Sequence, residues 1–233
     1  MTSLTVATDD LRQALRSVAP HADPDPDFPP LHRVRLEVGP VNLTVSATNR
    51  YTVGHALVSV EDNHDGELAS FDLSPQDVKE ILALFKGKAG EGEQPDDTLR
   101  IDVTDKHVTV TDVSGLFPGK SLSLPRYPDE SNFPSVSKLI ADTLTKDATA
   151  PERLVTSGKF MGLFTHAAKA YGESLVMDPT GSKSALLISC GDSFIGLLMP
   201  VALDEEEAAK VNGWHSDWLT RLGDTVSGYA PRS

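Results

Sequence analysis

Six cationic side chains are placed as phosphate contacts would need them. Arg12 and Arg16 are one helical turn apart, Lys79 and Lys86 are seven residues apart, and Lys159 and Lys169 flank a third apolar stripe. On amphipathic helices all six lie off the apolar face, where an ammonium or guanidinium neutralises backbone phosphate without reading a base. Solubilising surface charge explains each residue taken singly. The joint reading comes from the same arrangement recurring on three helices. No aromatic residues interleave with these charges, so base stacking is not expected and the contact would be to duplex backbone without sequence preference.

Catalytic chemistry leaves no comparable trace. The seven histidines are scattered, no His-Glu-x-x-His run occurs, and one cysteine cannot build a thiolate zinc site. Cys190 sits in the alternating run LLISCGD, which reads as a small buried hydrophobe rather than a reactive thiol. Asp9 and Asp10 are adjacent carboxylates, but at a helix start they serve capping and the macrodipole. GKAGEGE is rich in glycine yet lacks the Lys-Ser or Lys-Thr ending of a phosphate-binding loop. No enzyme activity, cofactor or metal is expected.

The elements that position the cations follow from hydrophobic period. Leu4 to Ala7 reads as a strand; Leu11, Ala14, Leu15 and Val18 then form one helical face, which Thr8 or Asp9 can cap and Pro20 helps to end. After the loop HADPDPDFPP, the runs VRLEV, LTVSAT and VGHALVSV alternate as half-buried antiparallel strands. The order then repeats. Ala69 to Leu73 is a strand, Ser74 and Pro75 open a helix with Val78, Ile81, Leu82 and Phe85 buried, and LRIDVTD, HVTVTDV and KSLSLP follow beyond the acidic linker GKAGEGEQPDD. A third, shorter version begins with apolar Leu154 and Val155, continues in a helix from Ser157 through Phe160, Leu163, Phe164, Ala167, Ala168 and Tyr171, and ends in ESLVMD, SALLISC and FIGLLMPVAL. In the tail, DEEEAAKV reads as a helical turn or two, Trp214, Trp218 and Leu222 as a short helix, and SGYAPRS as disordered.

The chain has 233 residues, 21 Lys plus Arg against 34 Asp plus Glu, and a formal net charge of -13. That excess opposes nucleic-acid binding over the whole surface and requires a local positive face. The apolar runs are broken by glycine and proline and fall well short of the roughly 20 residues that span a bilayer, and MTSLTVATDD lacks the basic flank and apolar run of a signal peptide. A cytoplasmic location and no membrane partner are expected.

In order and spacing the segments resemble a known family. LHRVRLEVGPVNLTVSATNRYTVGHALVSV is similar to the strand meander of the bacterial-type DNA polymerase III beta subunit, the sliding clamp. FDLSPQDVKEILALF with LRIDVTDKHVTVTD resembles the second half of a clamp domain, YPDESNFPSV the link between domains, and FIGLLMPVAL the C-terminal end. The likeness covers residues 1 to about 203. It implies an α+β DNA-clamp fold, with repeated helix plus antiparallel strand units and helices on one face of the sheet. The implied domains are a complete one at 1–136, a partial one at 137–203 and a tail at 204–233.

The family encircles duplex DNA with basic inner helices, which implies DNA-facing roles for Arg12, Arg16, Lys79, Lys86, Lys159 and Lys169. It also implies a groove for a short peptide from DNA polymerase or another clamp-binding protein, with Thr48, Arg50, Tyr51, Thr52 and Val53 on one wall and Met199, Pro200, Val201 and Leu203 on the other. Plain core packing accounts for the same apolar residues. Ala202 stands where the family usually has arginine, and Tyr51 and Thr52 replace a usual His-Arg pair. The function implied is a sliding-clamp-like processivity factor or tether in DNA replication, as a homo-oligomer or with a clamp-like partner subunit. The alternative is a clamp-fold adaptor or inhibitor that binds a replication protein without encircling DNA. The tail either caps a sheet edge or joins an interface.

Overall fold

The structure, a computed structural model, describes residues 2–63, 66, 68–87, 97–128, 132–147, 149, 151, 153–181 and 184–226, without the side chains of 215, 219 and 223–226. Most of the acidic linker, the middle of YPDESNFP and the final SGYAPRS lie outside the described residues. The chain divides into two compact units, residues 1–200 and 201–233.

In the first unit β1 (Thr2–Ala7) runs into α1 (Thr8–Val18), which continues as a 3-10 turn over Ala19–His21. The expected cap by Thr8 or Asp9 is not formed. Ala7 is the N-cap residue, Thr8 is already helical, and its amide donates to the Asp97 carbonyl at 2.7 Å. Asp9 and Asp10 occupy the first turn, where the helix dipole favours carboxylates. Strands β2 (Val34–Val38), β3 (Asn42–Thr48) and β4 (Thr52–Asn63) form the antiparallel meander, and β5 (Ala69–Leu73) returns beside β2.

Helix α2 (Pro75–Leu84) opens with a capping box: the Ser74 hydroxyl accepts from the Asp77 amide, and the Asp77 carboxylate accepts from the Ser74 amide. β6 (Thr98–Val103), β7 (His107–Asp112) and β8 (Ser121–Pro125) extend the sheet from β1.

The remaining segment adds α3 (Val136–Leu144), α4 (Gly158–Met161), a 3-10 turn over Gly162–Phe164, α5 (Thr165–Tyr171), and strands β9 (Leu175–Asp178), β10 (Leu186–Cys190) and β11 (Phe194–Leu198). The expected single helix from Ser157 to Tyr171 is therefore broken at its centre, and Leu154 and Val155 lie half-buried outside any strand. The sheet order is β5-β2-β3-β4-β1-β6-β7-β8, with β11, β10 and β9 branching from β4. β4 makes the branch possible by its length. Thr52 to Ala56 pair with β11, whereas Val60 to Asn63 pair with β1 along the same edge.

Helices α1, α2 and α5 pack on one face of this sheet through a single apolar cluster that includes Leu11, Leu15, Val78, Ile81, Phe164 and Ala167. Burying each large aliphatic side chain contributes about 2 kcal/mol. Helix α3, of which only Val136 falls within the segment YPDESNFPSV, covers the opposite face of β4, β10 and β11 with Val136 and Ile140 against Val53, Leu187 and Leu197. In the second unit, α6 (Glu205–Val226) is one helix of 22 residues rather than the two short pieces expected.

Candidate nucleic-acid interface

The cations divide according to what their neighbouring backbone requires. Arg16, Lys79 and Lys169 come from α1, α2 and α5 and line one cleft of about 400 Å³, with His166 beside them. Leu15, Ala19, Val78 and Leu82 supply apolar lining between these groups. The three cationic residues are exposed and line one concavity. His166 was missed as a site residue. Its signal was its position three residues before Lys169, which puts the two on neighbouring parts of one helical face.

Arg12, expected to face DNA, does not line this cleft. It is buried, and Nη1 donates to the carbonyls of Leu82, at 2.8 Å, and Phe85. Carbonyls at a helix end have no intrahelical donor, so the guanidinium of α1 closes the end of α2. Burial, and secondarily Arg16, lowers the Arg12 pKa, which Asp9 partly offsets.

Lys86 lines a separate cavity of about 250 Å³ with Thr8, Asp97, Asp112 and Lys120. The Lys159 ammonium sits 5.6 Å from the Phe160 ring centroid. Neither lines the three-helix cleft.

The expected peptide groove is brought together only in part. Thr48 to Thr52 form the β3–β4 turn, in which the Asn49 side-chain carbonyl accepts from the Tyr51 and Thr52 amides and from the Thr52 hydroxyl. Thr48 and Thr52 are buried and used internally, and Val53 packs against α3, so these three are core. Arg50 adopts φ 75°, a left-handed conformation that costs about 1 kcal/mol or more; its side chain bonds Asp23 at 3.2 Å and lies over Phe28.

Tyr51 is exposed and stacks on Phe160 with centroids 4.8 Å apart, and its carbonyl accepts from the Met199 amide at 2.8 Å. The accessible patch therefore consists of Arg50, Tyr51 and Met199, with Phe160 and Pro200 half-buried. Val201 and Leu203 belong to the second unit.

Two buried groups lie near the turn and in the core. His21 Nδ1 is 3.0 Å from the Thr52 hydroxyl, whose own proton goes to Asn49, so Nδ1 carries hydrogen and donates. Nε2 then presents a buried lone pair with no partner among the described residues. Desolvation, reinforced by His166, pulls the His21 pKa down to about 3. The Cys190 thiol is buried and contacts the Glu173 carbonyl at 3.7 Å, and burial pushes its pKa up. Among the described residues no three carboxylate, imidazole or thiol side chains gather as a metal site would require. Among them, too, no helix is long and apolar enough to cross a membrane.

No protein-family model matches the sequence, and the comparison with curated proteins found no match. The fold has counterparts among solved structures. The DNA polymerase III beta subunit from Thermotoga maritima superimposes with a TM-score of 0.63 at 16% identity, covering 88% of this chain and 66% of that one. The DNA polymerase sliding clamp from Pseudomonas aeruginosa gives 0.62 at 14% identity, covering 87% and 66%. The sliding clamp from Bacillus subtilis gives 0.57 at 14%, covering 87% and 64%. The chain spans about two thirds of the length of these structures.

Proposed function

We propose that this chain, which has the fold of the DNA polymerase III sliding clamps, is a non-catalytic tether that holds a replication protein on duplex DNA. The observation that carries the reading is the convergence of Arg16, Lys79 and Lys169 from three helices on one cleft. Three cationic side chains from separate helices suit a phosphate backbone. On a body of net charge -13 their attraction is weak, so retention requires enclosure, and enclosure requires a second copy or a clamp-like partner subunit. The Tyr51, Phe160 and Met199 patch is the proposed dock for a short apolar segment of a DNA polymerase or another clamp-binding protein.

The test measures retention on nicked circular duplex DNA across a salt series. Replacing Arg16, Lys79 and Lys169 together by glutamate is expected to weaken retention and to lower the salt slope by about 3, close to one per phosphate contact. Equal retention by both proteins refutes the DNA reading. The second reading, an adaptor that binds a replication protein without enclosing DNA, is favoured by the withdrawal of Arg12 from the basic face. It predicts that a Tyr51→Glu variant loses partner binding while neither protein is retained on DNA.

A further inference from the structure

Helix α6 is about 33 Å long by its 22 residues and begins with its own capping pair, in which the Glu207 amide donates to the Asp204 carboxylate at 2.8 Å and the Asp204 amide to the Glu207 carboxylate at 3.1 Å. Val211, Trp214, Trp218 and Leu222 recur at steps of three, four and four, which puts them on one stripe. Trp214, Trp218 and Leu222 are 51%, 58% and 50% exposed. Two indoles and a leucine in line form an apolar strip of the kind that marks an interaction surface.

The charges beside the stripe indicate its occupant, because they are complementary to themselves about Trp214. Glu207 lies seven residues before Trp214 and Arg221 seven after it; Lys210 lies four before and Trp218 four after. We propose that α6 pairs antiparallel with α6 of a second copy of this chain, centred on Trp214. In that register the two Trp214 indoles meet at the dyad, Glu207 of each copy faces Arg221 of the other, which lies 5.8 Å over the Trp218 ring of its own helix, and Lys210 faces that ring from the partner. Such a contact is isologous, so each charge pair and each cation–π pair occurs twice. A parallel pair would instead set Glu205, Glu206 and Glu207 beside the same three carboxylates. Like charges at that spacing repel, which selects the antiparallel arrangement.

Sedimentation equilibrium of the whole chain is the test. A dimer is expected at tens of micromolar, and Trp214→Glu is expected to weaken it by at least about tenfold because two carboxylates meet at the centre. Circular dichroism of the variant checks that the helix is retained. Orientation is read from oxidative cross-linking. Arg221→Cys is expected not to link to itself, since 14 residues of helix on either copy separate the two thiols by roughly 21 Å. Mixed with Glu207→Cys it is expected to link. A monomer throughout the concentration range, a dimer that Trp214→Glu leaves intact, or efficient Arg221→Cys self-linking each overturns the proposal. None of these outcomes depends on the DNA reading, which is measured on nicked circles.

Discussion

Gly54 and Gly196 lie opposite one another in the β4–β11 ladder, and the missing side chains make the space in which His21 and Phe164 sit on the sheet. A Cβ at Gly54 would lie 2.5 Å from His21 Cδ2, and one at Gly196 would lie 2.4 Å from the Val53 carbonyl oxygen and 2.7 Å from Phe164 Cε1. The two rings pack edge to face at 4.7 Å. Because β11 joins the last strands to β4, this pair of glycines governs whether the segment after α3 seats on the first sheet. Gly196→Ala is expected to cost about 2 to 3 kcal/mol, since the clash involves backbone that cannot swing away. Urea unfolding measures it, and a variant within about 0.5 kcal/mol of the parent contradicts the packing argument.

His21 makes stability depend on pH. Its folded pKa, near 3, is below the usual 6.5, so the unfolded chain binds the extra proton between those values and the folded chain does not. The contribution is complete above pH 6.5 and is lost as pH falls toward 3. Between pH 7 and pH 5 it should remove about 2 kcal/mol. Thr52, Phe164 and Phe194 surround the ring and offer no compensating anion. His21→Gln, compared with the parent by urea unfolding at both pH values, should lack this increment; an equal pH loss in both proteins rules out His21 as its source.

Arg12 and Arg16 should separate by what their replacement harms. Arg12→Met removes the donor to the Leu82 and Phe85 carbonyls and is expected to destabilise the fold by about 1 to 3 kcal/mol, with an unchanged salt slope for DNA. Arg16→Met should leave the melting temperature within a few degrees of the parent and reduce the slope by about 1. The reverse assignment of effects would restore Arg12 to the DNA-facing group.

Asp72 carries a further structural burden. Its carboxylate accepts from Arg33 at 2.8 Å and from Arg35 at 2.9 and 3.1 Å, and it is almost completely buried beneath them. Asp72→Ala leaves two guanidinium groups without their anion at the β2–β5 pairing and is expected to cost about 3 to 5 kcal/mol in chemical denaturation. A loss below 1 kcal/mol shows that solvent or the flanking Tyr127 and Phe133 rings suffice for the arginines.

Local period by itself determined the alternation of strands and helices, because the residues that set it are neighbours in the chain. VRLEV and TLRIDV alternate in burial as their sequences do, and Ser74, Pro75 and Asp77 carry the start of α2 within four positions. Groups whose partners lie far away in sequence took their roles from packing instead. Arg12 and Arg16 are equivalent on a helical wheel, but the end of α2 stands against one and solvent against the other, so only one keeps its charge on the surface. Val53 and Tyr51 stand two apart in a candidate groove; α3 buries the first, and the stack on Phe160 holds the second at the surface. The convergence of Arg16, Lys79 and Lys169 likewise depends on which helices the sheet sets side by side, and that arrangement is fixed by long-range strand pairing.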